Sequence, residues 1–192
     1  MKIIVSGLTA SGKTYHARKL ADYYGLEYLS GSEFLVREAG YIPDHDFWPS
    51  KQGIEFTAKR KIDSSIDMKA DKKLLGLAKS RDSILLDSWV LPWIYTKKDS
   101  LMIYFFADLS TRVELSYLSF EGNREKEDLK EIIINKDKDT VEIFKNLHSV
   151  DISKTKGVFD IIFDMSGAHK INPEETTTRL IKTIEDYKKN IV

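Results

Sequence analysis

The chain has 192 residues, 42% of them hydrophobic, with 30 lysines and arginines balanced by 30 aspartates and glutamates and no cysteine. That length supports one packed core and hardly two, and a net charge of zero supplies no global attraction to nucleic acid or an anionic membrane. Absent cysteine excludes disulfides and thiolate metal sites, no apolar run approaches a membrane span, and no signal peptide precedes the first strand, so a soluble cytoplasmic protein is expected.

In chain order, the apolar run Ile3-Ile4-Val5 predicts a short strand that delivers the chain into Gly7-Leu8-Thr9-Ala10-Ser11-Gly12-Lys13-Thr14. This segment has the form G-x-x-x-x-G-K-[ST], a phosphate-binding loop. Glycine at 7 and 12 lets the backbone amides turn inward and cradle phosphate oxygens, Lys13 reaches the outer phosphates, and the Thr14 hydroxyl holds Mg2+ beside them. Ala17, Leu20, Ala21 and Tyr24 then recur at helical spacing up to Gly25, so the positive end of a helix faces the bound anion.

Glu27 to Ser30 predicts a weak second strand. Ile54, Ala58, Ile62, Ile66, Ala70, Leu74 and Leu77 predict one long amphipathic helix from about Ile54 to Lys79. Ser83 to Asp87, Leu101 to Phe106 and Phe159 to Asp164 read as short strands buried on both faces. Thr111 to Leu147 is helical in period but much more charged and breaks at Glu121-Gly122-Asn123, which predicts a solvated, two-part arm that can move. Asn172 caps a last helix opened by Pro173, with Leu180, Ile181, Ile184 and Tyr187 inward. Strand and helix alternate from end to end, so the expected class is α/β: a three-layer phosphate-loop fold, its central parallel sheet of about five strands flanked by helices.

Asp87 ends a strand at the carboxyl edge of that sheet, where open α/β folds place ligands, and its carboxylate is the second candidate for Mg2+, through water. Trp89, and Phe47-Trp48, are either core or aromatic faces for a base. Asp44-His45-Asp46 has the composition of a metal cluster, but adjacent side chains point different ways and a solvated loop is expected. Asn135-Lys136-Asp137-Lys138 approaches the guanine-reading N-K-x-D pattern but ends in lysine inside a helical stretch, and is read as a solvated helix face.

Over nearly its whole length the chain resembles the nucleoside monophosphate kinases, and among them the archaeal type of cytidylate kinase. The resemblance is carried by Gly7 to Thr14 with Ala17-Arg18-Lys19-Leu20-Ala21 and Gly25-Leu26, then by Ser30-Gly31-Ser32-Glu33-Phe34 with Arg37-Glu38-Ala39. It continues through Asp87, Trp93, Asn135-Lys136-Asp137, Phe144-Lys145, Val150-Asp151-Ile152, Phe159-Asp160 and Asp164-Met165-Ser166. It implies ATP- and Mg2+-dependent transfer of a phosphoryl group to a nucleoside monophosphate, most simply CMP or dCMP. Lys13, Arg112 and Arg124 would be the catalytic cations, Arg112 and Arg124 lying in the arm that closes over ATP, and Ser30, Arg37, Arg60 and Trp89 would meet the acceptor. Residues 1–192 would form one kinase domain with an acceptor-binding insertion at about 30–80 and a lid at about 110–147, both mobile. Small nucleotides are the expected partners, with no nucleic acid or membrane and a monomer favoured.

The chain departs from the family pattern in lacking arginines after Asp87 and near Ile143, and Arg37 lies further from Ser30-Gly31 than the pattern places it. The alternatives are a weakly catalytic, nucleotide-binding regulatory module and a kinase acting on AMP or a non-nucleotide. Convergence of Arg37, Arg60, Arg112 and Arg124 on one cleft would favour the enzyme, and scatter the regulatory module.

Overall fold

The computed structural model describes residues 1–44, 46–97 and 99–190. Five strands, β1 (Lys2–Gly7), β2 (Glu27–Ser30), β3 (Ile84–Asp87), β4 (Leu101–Phe106) and β5 (Ile161–Asp164), form one parallel sheet in the order β2-β3-β1-β4-β5. Eight α-helices are described: α1 (Lys13–Tyr24), α2 (Gly31–Glu38), α3 (Lys51–Ile62), α4 (Ser65–Ser80), α5 (Leu91–Ile94), α6 (Leu109–Ser119), α7 (Lys126–His148) and α8 (Pro173–Asn190). Later strands add on opposite sides of β1, so the chain reverses its winding there. The loop after β1 therefore emerges into the crevice at the carboxyl edge, beside Asp87 of its neighbour β3.

Alternation along the strands sorts the core into layers. Ile3, Val5, Leu85, Ile103, Phe105 and Phe163 face α1 and α8 through Ala17, Leu20, Leu180 and Ile184, while Ile4, Ile84 and Leu86 face Leu74 and Ala78 of α4. β5 differs from its expectation. It starts at Ile161 and is an edge strand with Ile162 exposed, because only one of its faces is covered by the cluster under α8. Gly25 takes the left-handed conformation that ends α1, and Asn172 Oδ1 accepts from Glu174 N at 2.8 Å at the start of α8. No described helix is long and apolar enough to cross a membrane.

The single helix expected from Ile54 to Lys79 is two. Asp63 turns extended and accepts from Ser65 N at 2.9 Å, so the Asp63-Ser64-Ser65 run closes α3 and opens α4. The inward face of α3 is Phe56, Thr57 and Arg60, while Ile54 and Ile62 are exposed. Thr57 satisfies its hydroxyl on Gly53 O at 2.9 Å, and polar side chains buried with partners escape a purely hydrophobic pattern. The charged arm does break as expected, into α6 and α7, and α7 packs back against α6 and α3.

One buried histidine lies beneath the loop helix. His16 stacks on Phe105 and its Nδ1 lies 2.9 Å from Thr177 Oγ1; that hydroxyl donates its proton to Pro173 O, so Nδ1 carries the hydrogen of a neutral ring. Burial pushes the ring's pKa down to about 4. The folded state thus binds this proton less well than the unfolded chain, so the stability is whole above about pH 6.5 and is lost as pH falls toward 4. We expect a loss of about 3 kcal/mol across that window. Thermal melting of the protein and His16→Gln should show their stability difference shrinking toward acid pH; parallel profiles would contradict it.

Candidate active site

Gly7 ends β1 where a Cβ would stand 2.7 Å from Phe105 O and 2.9 Å from Ser11 Oγ, so only glycine permits the loop to pack this closely. Ala10 and Gly12 both adopt positive φ, at 60° and 76°, which curls the loop around its own amides and leads into α1 at Lys13. Two charged groups meet there. Lys13 Nζ lies 3.1 Å from Asp87 Oδ1, and Thr14 Oγ1 donates to Asp87 Oδ2 at 2.9 Å. Asp87 is 4% exposed and also accepts from the Tyr28 hydroxyl at 3.4 Å, whose proton burial and the Asp87 charge hold far above the usual phenol range.

Two cavities open from the loop. The larger, about 540 Å³, runs from Thr9, Ala10, Lys13 and Thr14 toward α2, Pro43, Pro49 and α7; the smaller, about 310 Å³, runs from Ala10 through Tyr15 toward α6. Ala10, Lys13, Thr14 and Ser116 line both. The larger cleft is walled by Trp48, Trp89, Phe120, Leu129, Ile132 and Ile133, with Lys13, Arg18 and Lys136 as its cations and Glu33 and Asp44 as its carboxylates. Trp48 and Trp89 meet edge to face at 6.0 Å, and Lys136 Nζ stands 4.1 Å and 5.2 Å from their ring centroids. Burial, reinforced by the charges of Lys13 and Arg60, pushes the Lys136 amine well below its ordinary pKa.

The four expected arginines do not converge. Arg112 reaches the loop, donating to Thr9 O at 3.1 Å and pairing with Asp137. Arg60 is 1% exposed, held by a bidentate pair to buried Asp67 and lying over the Trp48 and Phe56 rings; it stands behind the Trp48 wall and does not line the cleft. Arg37 points outward, 3.7 Å from Glu33, and Arg124 sits at the rim, 3.3 Å from Asp46 and over the Phe120 ring. Ser30 is buried as the cap of α2, accepting from Glu33 N at 3.3 Å, and its neighbour Ser32 lines the cleft. Trp89 lies on the wall as expected of an aromatic face. Of Asp44-His45-Asp46, Asp44 lines the cleft, Asp46 pairs with Arg124, and His45 falls outside the described residues.

The reading of residues 135–138 as a solvated helix face is corrected. Asn135 and Lys138 are exposed, but Lys136 and Asp137 turn into the site. The signal was present: Leu129, Ile133, Lys136 and Thr140 share one face of α7, so a lysine stands in its inward stripe. Arg18, which the sequence marks only as part of the loop-helix pattern, lies one turn past Thr14 and pairs with Glu33 at the cleft.

A cytidylate kinase of Methanosarcina mazei is 30% identical over 168 residues, which cover 85% of this chain and 87% of the relative. The chain belongs to the cytidylate kinase family. A cytidylate kinase of Desulfurococcus amylolyticus is 29% identical over 189 residues, covering 97% of this chain and 93% of its own. No family model matches. Among solved structures, a shikimate kinase from Bacteroides thetaiotaomicron superposes with a TM-score of 0.61 at 10% identity, over 96% of this chain and 98% of that one, which shows a shared fold alone. As a cytidylate kinase relative, the chain is a P-loop nucleoside monophosphate kinase, a phosphotransferase.

Proposed function

We propose that the protein transfers the γ-phosphoryl group of ATP to a pyrimidine nucleoside monophosphate, CMP or dCMP. The observation that carries this reading is the meeting of two cavities at Ala10, Lys13, Thr14 and Ser116: one runs along the loop and α6, the other is walled by indoles and set with cations. Donor phosphates fit the loop amides; an acceptor base fits Trp89 and Trp48, with its phosphate toward Lys13, Arg18 and Lys136. An acceptor phosphate oxygen then attacks the γ-phosphorus as the bond to ADP breaks. This chemistry asks for alignment and for positive charge on the oxygens in transit. Lys13 lies between the two phosphate positions, Arg112 stands at the edge of the loop, and the apolar wall of Phe120, Leu129 and Ile133 limits the access of water.

Thr14 and Asp87 are the residues that would hold Mg2+. Their oxygens, 2.9 Å apart, are hard donors at a spacing suited to neighbouring positions around this ion, directly or through water. Bound there, Mg2+ would neutralise charge on the phosphates.

ADP release measured with CMP, dCMP, UMP, AMP and GMP in turn tests the acceptor. CMP and dCMP should give the highest kcat/KM; AMP or GMP in first place, or no acceptor dependence, would overturn the pyrimidine reading.

A further inference from the structure

The third residue of the phosphate loop already holds an anion supplied by the protein. Thr9 N donates to Asp137 Oδ1 at 2.9 Å, and the other carboxylate oxygen accepts from Arg112 Nη1. Arg112 also donates to Thr9 O at 3.1 Å, so a carboxylate from α7 is clamped between the loop and α6. The Arg112 side chain is 9% exposed, and among the described residues its Nε and the Thr9 Oγ1 are buried without a hydrogen-bond partner. An interior arginine beside a loop built for phosphate thus keeps a donor that one more acceptor oxygen would satisfy.

The position of Thr9 identifies which phosphate is concerned. Residues 10–15 line the smaller cavity, whereas Thr9 lines only the larger cleft on the acceptor side. A donor lying along the loop would bring only its outermost phosphate to Thr9. We propose that Asp137 occupies the place of the donor's third phosphate at Thr9 and Arg112, and so determines how strongly the site prefers a nucleoside triphosphate over a diphosphate. This rests on the ATP-donor reading above. A diphosphate held from Ala10 onward leaves the Asp137 clamp intact. A triphosphate sets a charged oxygen against the carboxylate, competes for the Thr9 amide and expels the side chain. Arg112 is then released to the phosphate. ATP thus binds at a cost that ADP does not meet.

Calorimetric titration without acceptor, using the Mg2+ complexes of ADP and of the β,γ-imido analogue of ATP, tests this on the protein, Asp137→Asn and Asp137→Ser. Each variant should bind the triphosphate about tenfold more tightly and the diphosphate within about twofold of the unaltered protein. Equal shifts for both nucleotides, or weaker triphosphate binding, would overturn the proposal, because a merely structural Asp137 would not separate the two ligands. Two variants of different shape keep the comparison available should one fold poorly. An unaltered protein that binds neither nucleotide would refute the donor reading itself, and this proposal with it; binding of both with an unmoved ratio refutes this proposal alone.

Discussion

Replacing Lys13 with alanine should lower acceptor-dependent ADP formation by at least about 10³-fold, the scale set by removing a preorganised charge from a transition state. Lys13 lines both cavities, so in the proposed reaction its ammonium would serve both the phosphate that leaves one nucleotide and the oxygen that receives it. Lys13→Arg should recover little, since a planar fork does not replace a compact point charge in a loop this tight. The side effect on folding is a lost ion pair to Asp87, whose carboxylate keeps Thr14 and Tyr28. Initial rates with melting temperatures in parallel separate the two effects. A loss below tenfold in a folded variant would remove Lys13 from the mechanism.

Arg60→Ala should destabilise the fold by about 3–5 kcal/mol, because it leaves a buried carboxylate without its counter-charge. Arg60 and Asp67 are 1% and 2% exposed, joined by bidentate hydrogen bonds across the turn between α3 and α4, and the guanidinium supports the Trp48 ring from behind. Arg60→Leu with Asp67→Leu should recover much of the loss, since no charge is then stranded. Urea unfolding measures both. A fall in kcat/KM with stability unchanged would contradict this and favour the acceptor contact that the family resemblance implies for Arg60.

What the sequence disclosed and what it withheld follow from the range of the interactions. The phosphate loop is written in eight consecutive residues and depends on backbone conformation within them, so it was legible together with its strand, its helix and Asp87 at the sheet edge. Gly25, Asn172 and Glu121-Gly122-Asn123 are likewise local signals, and each stands at a helix end or a break. The cleft wall is of another kind. Thr9 and Asp137 are 128 positions apart, and only the packing of α7 on α3 and α6 makes them neighbours. The partner of Arg60, Asp67, lies beyond a helix break that a continuous apolar period hides, and Lys136 is masked by the charges around it although it shares a stripe with Leu129 and Ile133. Arg18 lines the cleft, four residues and one helix turn after Thr14, whereas Arg37 does not.

In the proposed reaction one cleft joins two nucleotides and moves a phosphoryl group between them. Phosphorus NMR of a mixture of protein, ATP, Mg2+ and CMP follows that group directly. CDP and ADP should rise together in equal amounts, with no product formed by Lys13→Ala. Inorganic phosphate appearing with ADP while CMP stays unchanged, or CDP formed at the same rate by Lys13→Ala, would contradict it.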